Sequence, residues 1–127
     1  MRGLDLVRAG VIAGERYGHI EPTPEHQALI FDTLRRSVNP DHGLEQPTTL
    51  QWEFADAEPW HLRIDNGATS AAPGRSAAAD LTFRTRYVDW VELMGGRLDP
   101  RRAMVTGKLR PRGSVRLLMR LPQILGR

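Results

Sequence analysis

The chain has 127 residues, of which 40% are apolar, and its formal net charge is +3. It contains no cysteine, which excludes disulfides, thiolate catalysis and thiolate metal sites. One domain of this length can bury enough surface to support its own core. Neither a signal peptide nor a membrane-spanning segment is predicted, since no apolar run is long and uninterrupted enough. We therefore expect a cytoplasmic protein.

The charges are unevenly distributed. Residues 1–99 carry 10 basic and 15 acidic side chains, whereas residues 100–127 carry eight basic side chains and no acidic one. The last quarter of the chain is thus predicted to form a cationic surface on an acidic body. Of the 18 basic residues 17 are arginine, a bias more typical of a GC-rich genome than of phosphate binding.

Residues 4–17 have apolar side chains near helical spacing and predict a short helix, and residues 1–22 are expected to form an N-terminal helical extension. The main domain is predicted to begin at residue 23 and to reach residue 127. Thr23 is the expected N-cap of its first helix, with Pro24 at the first helical position. That helix should end near Val38.

Three strands are predicted next, at residues 48–54, 60–65 and 68–72. The first two alternate apolar and polar side chains with a period of two, which is typical of strands with one buried face. Asn66 and Gly67 between the second and third strands are a strong hairpin signal. We expect these strands to form an antiparallel meander.

Residues 81–85 predict a fourth strand and residues 87–94 a helix. A short helix should follow with Asp99 as its N-cap, then a fifth strand at residues 108–112. Pro111 cannot donate to a strand ladder, which favours an edge position for this strand. Ser114 is the expected N-cap of a last helix over residues 115–125.

From residue 52 onward the chain resembles the sterol carrier protein 2 family of lipid-binding domains. Four motifs carry the resemblance: Trp-His-Leu-Arg-Ile-Asp-Asn-Gly at 60–67, Ala-Asp-Leu-Thr-Phe at 79–83, the segment 90–104 with Gly-Arg-Leu-Asp-Pro at 96–100, and Gly-Lys-Leu-Arg-Pro-Arg-Gly at 107–113. One departure is Pro111, where the family usually has an apolar residue.

The resemblance implies an α+β fold: a five-stranded, mainly antiparallel sheet with short helices packed on one face, enclosing an apolar tunnel. It also implies non-catalytic binding and transfer of a fatty acid, an acyl-CoA, a sterol or a similar lipid, without a cofactor. A homodimer or a partner enzyme is compatible with this expectation.

Apolar side chains on the late strand and helices form the candidate ligand wall. Leucine and methionine adapt to variable apolar guests, and short helices leave gaps above a sheet. The alternative interpretation is an ordinary packed core. The candidate wall comprises Phe83, Trp90, Leu93, Met94, Leu98, Met104, Leu117, Leu118, Leu121 and Leu125.

Basic side chains of the cationic quarter form a candidate rim beside this wall. They could contact an anionic head group or an acidic membrane surface, or they could simply be solvated. We do not expect nucleic acid as a partner, because no aromatic stacking platform is interleaved with them. The candidate rim consists of Lys108, Arg110, Arg112, Arg116 and Arg120.

The sequence predicts no catalytic or metal-binding set. The four histidines lack metal-ligand spacing and are interpreted as surface residues. Two alternatives to lipid binding stay open. One is a dimerisation domain without a cavity, and the other is a small enzyme for an apolar substrate, with Asp80, His61 or Tyr87 as its acid or base.

Overall fold

The computed structural model describes residues 23–125, so the predicted N-terminal extension lies outside the described residues. The described part of the chain forms four helices and five strands in an α+β arrangement. In chain order these are α1 (Pro24–Arg36), β1 (Thr48–Phe54), β2 (Trp60–Asp65), β3 (Ala68–Pro73), β4 (Leu81–Thr85), α2 (Tyr87–Met94), α3 (Pro100–Val105), β5 (Leu109–Gly113) and α4 (Val115–Leu125).

The three predicted helix caps are confirmed. Thr23 accepts a hydrogen bond from the backbone N–H of His26, and Asp99 accepts one from that of Arg101. The Ser114 hydroxyl accepts one from the N–H of Leu117 at 3.1 Å. Each cap satisfies a donor that the first turn of a helix leaves unpaired. These side chains therefore fix where α1, α3 and α4 begin.

The sheet has the strand order β3-β2-β1-β4-β5. The meander of β1, β2 and β3 is antiparallel, as predicted, and β4 pairs with β5 antiparallel. β1 and β4 pair in parallel, so the sheet is mixed. β5 is an edge strand, where Pro111 lies opposite Phe83 without interrupting the pairing.

The chain crosses the outer face of the sheet between β3 and β4. Gln51 of β1 is 3% exposed on this face, and its Nε2 donates to the carbonyls of Trp60 (3.0 Å) and Gly74 (3.2 Å). Its Oε1 accepts a bond from the N–H of Ser76 at 2.7 Å. One buried amide thus joins two strands to the crossing segment, and the chain itself covers part of this face.

The hydrophobic core lies between the other face of the sheet and the helices. β1 contributes Leu50 and Trp52, while α1 contributes Ile30, Phe31 and Leu34, each at most 1% exposed. Burial of side chains this large is the main stabilising contribution to such a domain. Within residues 23–125 no helix is both long and apolar enough to cross a bilayer.

Candidate ligand-binding site

The helix-facing side of the sheet carries one connected group of seven aromatic rings, which we call the aromatic cluster. Phe31 lies at its centre, with ring centroids 5.1 Å from Trp52 and 4.9 Å from Trp60. Trp90 of α2 lies 5.2 Å from Trp52. The full set is Phe31, Trp52, Phe54, Trp60, Phe83, Tyr87 and Trp90.

The aromatic cluster contains four buried polar atoms that have no hydrogen-bond partner among residues 23–125. They are the indole nitrogens of Trp52, Trp60 and Trp90 and the hydroxyl of Tyr87. These side chains are at most 8% exposed. Buried polar groups are nearly always paired in proteins, and leaving one unpaired costs about 1–3 kcal/mol. Their concentration in one place marks this region as a candidate binding site.

Tyr87 occupies the first position of α2, where the Asp56 carboxylate accepts a hydrogen bond from its backbone N–H at 2.6 Å. The side chain is fully buried. Burial raises the pKa of the Tyr87 hydroxyl well above its ordinary value, and the nearby charge of Asp56 raises it further. The hydroxyl therefore stays neutral across the physiological range.

We expect Tyr87→Phe to raise the free energy of unfolding by about 1 kcal/mol, because it removes an unpaired buried hydroxyl and keeps the ring. The pKa of Tyr87 is higher in the folded protein than in the unfolded chain. Its contribution to the free energy of unfolding is therefore fully present below pH about 10 and is lost as the pH rises toward the folded-state pKa. The gain should therefore grow above pH 10. Urea titrations at pH 7 and above pH 10 measure both effects. A less stable variant at pH 7 would show that the hydroxyl has a stabilising role.

The structure brings most of the predicted ligand wall together. Phe83, Trp90, Met94 and Leu117 are buried in the core, at 2–9% exposure. A second group is half-buried and packs against that core: Leu93, Leu98, Leu118, Leu121 and Leu125. Met104 lies apart, 38% exposed on α3. The wall is therefore continuous with the aromatic cluster except at Met104.

Two grooves lie beside α2 and α3, and both are open to solvent. The first has a volume of about 570 Å³, and its lining includes Phe54, Arg84, Lys108 and Arg110. The second, about 730 Å³, is lined by Leu93, Leu98 and polar residues of the α2–α3 turn. The enclosed tunnel that the family resemblance implies is not shown by residues 23–125.

The five residues of the candidate rim have different surroundings. Lys108 and Arg110 line the first groove, where Arg110 lies directly opposite Arg84 across β4 and β5. Arg112 follows on β5, and Arg116 is exposed on α4. Arg120 instead donates to the carbonyl oxygen of His42 at 2.9 Å, in the segment after α1.

Each of the three residues considered as an acid or base has its own structural surroundings. Asp80 accepts a hydrogen bond from the backbone N–H of Thr49 at 2.8 Å. The Nδ1 of His61 lies 3.0 Å from the carbonyl oxygen of Gly74. Tyr87 is buried in the aromatic cluster. Among residues 23–125 no group of three or more potential ligands could hold a metal ion.

Sequence reasoning was wrong about His42, which is 4% exposed instead of lying at the surface. Its Nδ1 accepts a bond from the N–H of Leu44, so Nε2 carries the proton and donates to the carbonyl of Asn66 at 2.9 Å. The ring thereby ties the segment after α1 to the β2–β3 turn. No periodicity surrounds His42, and only the Gly43 that follows it, with φ +73°, marks a tight turn there.

Comparisons with known proteins agree with this geometry. Residues 43–126 match the model of the SCP-2 sterol transfer family. The chain is 28% identical over 99 residues to hydroxysteroid dehydrogenase-like protein 2 of Danio rerio, covering 76% of this chain and 24% of that protein. It is 32% identical over 65 residues to sterol carrier protein 2 of Homo sapiens, covering 51% of this chain and 12% of that protein. The chain therefore spans a quarter or less of these curated relatives.

Solved structures show the same fold at low sequence identity. Sterol carrier protein 2 like 2 of Aedes aegypti has a TM-score of 0.57 at 21% identity, with 76% of this chain and 94% of that chain covered. The sec-alkylsulfatase Pisa1 from Pseudomonas sp. has a TM-score of 0.66 at 23% identity, with 78% and 16% covered. Since the family model matches well over half of the residues, this chain belongs to the SCP-2 sterol transfer family.

Proposed function

We propose that this domain binds a lipid or another apolar small molecule between its sheet and its helices, and releases it unchanged. The ligand classes to test are fatty acids, acyl-CoA and sterols. One observation carries the proposal: all predicted wall residues except Met104 lie in or pack against the core that holds the aromatic cluster, and this cluster has four donors unpaired among the described residues. A region built only for stability would not concentrate unpaired donors in this way.

The half-buried leucines support a site that can open. Leu118, Leu121 and Leu125 of α4 pack against the core but keep part of their surface in water. An acyl chain or a sterol ring inserted beneath α4 would cover that surface. Each methylene group that leaves water contributes about 0.8 kcal/mol, so a long chain can offset the cost of moving a short helix.

We also propose that the domain binds its ligand without catalysing a reaction. Asp80 and His61 both have backbone partners, which gives each a structural role. The curated relatives are several times longer than the matched segment. We therefore propose that the domain presents a ligand to a separate or attached enzyme in the cytoplasm.

Contact with an anionic membrane surface would complete a transfer cycle. Val115 and Met119 lie one turn apart on α4 and are 70% and 76% exposed. Arg112 and Arg116 lie close to them along the chain and are also exposed. Exposed apolar side chains flanked by cations are typical of helices that rest on the surface of acidic bilayers. The docking would be weak and reversible, as transfer requires.

Displacement of a fluorescent fatty acid tests the proposed function. We expect palmitate, palmitoyl-CoA or cholesterol to compete for the site, and Leu118→Trp to weaken binding about tenfold by filling it. Met119→Trp is the matched control, because it adds the same ring at an exposed neighbouring position. If none of the three classes competes in the wild-type domain, the proposed function is wrong.

A further inference from the structure

The unpaired donors narrow the chemistry of the ligand. We infer that the aromatic cluster takes an apolar ligand carrying a neutral acceptor, such as a ketone or ester carbonyl, within its hydrophobic body. A plain hydrocarbon or a free carboxylate would bind this region less well. The inference rests on the proposed function and specifies which apolar molecules the site prefers.

The donors come from the sheet and from α2, which packs against it. Trp52 of β1 and Trp60 of β2 are direct cross-strand partners on the floor of the site. Tyr87 and Trp90 lie three residues apart on α2, which places both on the side of the helix toward the sheet. The Trp52 and Trp90 rings are 5.2 Å apart and connect the two pairs. A ligand entering here would meet donors on both sides.

What these atoms lack is an acceptor. The indole nitrogen can only donate a hydrogen bond, and a tyrosine hydroxyl donates readily. A saturated chain would satisfy none of them. A carbonyl oxygen accepts two hydrogen bonds, so one ketone or ester could pair with one donor from the sheet and one from α2. The binding free energy would then include relief of a penalty already present in the unliganded protein.

The charges around the site favour a neutral acceptor over a carboxylate. No lysine or arginine is among the buried residues between positions 23 and 125. Two carboxylates lie at the start of α2 instead: Asp56 accepts from the N–H of Tyr87, and Asp89, 6% exposed, pairs with Arg86 at 3.1 Å. The guanidinium of Arg86 is already paired with Asp89, so an anion placed beside the two carboxylates would be desolvated and repelled.

Access to the aromatic cluster also depends on α2, which is short. α2 has eight residues and is followed by two glycines, Gly95 and Gly96, the second with φ +75°. Displacing α2 from the sheet would separate Trp90 from Trp52 and expose donors on both. A flat or chain-like ligand could then contact the indole faces while its carbonyl pairs with the N–H groups.

Three naphthalenes with matched ring systems test this inference: 2-acetylnaphthalene, 2-ethylnaphthalene and 2-naphthoate. Calorimetric titration of the full chain should show the ketone binding about tenfold more tightly than the hydrocarbon, and the anion binding more weakly than the ketone. Nuclear magnetic resonance supplies a direct readout. Indole N–H signals should move downfield with the ketone and not with the hydrocarbon.

Single-donor variants identify the atoms involved. Trp90→Phe and Tyr87→Phe should each lower ketone affinity about fivefold more than they lower hydrocarbon affinity, with circular dichroism confirming that both variants fold. Equal affinity for ketone and hydrocarbon, or a ketone preference that survives in both variants, would overturn the inference. If no naphthalene binds while palmitate competes for the site, the inference is wrong and the proposed function holds. If palmitate, palmitoyl-CoA and cholesterol also fail to compete for the site, both the inference and the proposed function are wrong.

Discussion

Replacing Gly113 with alanine is expected to lower the free energy of unfolding by about 3 kcal/mol. Gly113 ends β5 with φ +126°, a conformation that side-chain-bearing residues rarely adopt. A Cβ atom built there would also lie 2.5 Å from the carbonyl oxygen of Asp80 and 3.1 Å from the Cα of Leu81. Both neighbours are backbone atoms, one at the start of β4 and one in the residue before it, and they cannot rotate away.

Substitutions at two other glycines distinguish backbone strain from the steric contact with β4. Gly74 has φ +104° but open space around it, so Gly74→Ala introduces strain without a clash. Gly67 has open space and no positive φ, so Gly67→Ala should change stability little. Urea unfolding followed by circular dichroism ranks the three variants. A Gly113→Ala variant no less stable than Gly74→Ala would show that the contact with β4 relaxes.

Gln51→Leu is expected to lower the free energy of unfolding by about 3 kcal/mol. This loss is expected although leucine is apolar, is similar in size to glutamine and would occupy a buried position. The substitution would remove the amide that pairs with the carbonyl of Trp60 and the N–H of Ser76, while the carbonyl of Gly74 would keep its contact with His61. Each buried group left unpaired costs about 1–3 kcal/mol, partly compensated where water can enter. Thermal and urea unfolding of the purified variant measure the loss.

Gln46→Leu provides the control for that substitution, because Gln46 is exposed and its side chain has no hydrogen bond in the described structure. Gln51→Glu is a second probe. It keeps an acceptor for Ser76 but turns a negatively charged oxygen toward two carbonyls, so it should be less stable than Gln51→Leu at neutral pH. If Gln51→Leu matches wild type, the amide does not hold the crossing segment.

Local signals in the sequence were sufficient for most elements of this fold. The alternation in β2 arises because one face of the sheet is buried there, and a period of two can be recognised within a single strand. β1 has the same alternation in sequence, although its residues 48–52 are buried on both faces. Thr23, Asp99 and Ser114 were recognisable because an N-cap acts within three residues of itself. Pro111 indicated an edge strand because only an edge tolerates a missing donor.

What covers each face could not be read from local patterns. The alternation places Gln51 opposite Leu50 and Trp52, which suggests solvent, but a segment 25 residues later in the chain covers it. The burial of His42 likewise depends on Asn66 and Arg120, which are distant in sequence. The parallel pairing of β1 and β4 is also non-local. Such contacts depend on the path of the whole chain.

The candidate wall was identified from apolar spacing and family resemblance, and the aromatic cluster was not identified as a unit. Phe31, Trp52 and Trp60 lie on three different elements, and only the folded sheet brings their rings within about 5 Å. Met104 looked equivalent to the other wall residues because a six-residue helix is too short for its spacing to define an inward face.

The aromatic cluster also determines the optical properties of the molecule. It contains every tryptophan and every phenylalanine of the chain. Light absorbed by any of these rings can pass by energy transfer to its neighbours, which lie 4.9–6.2 Å away. The intrinsic emission and the near-ultraviolet dichroism of this protein therefore originate largely in one place. A ligand bound among those rings should therefore change the intrinsic fluorescence, so no attached dye is needed to detect it.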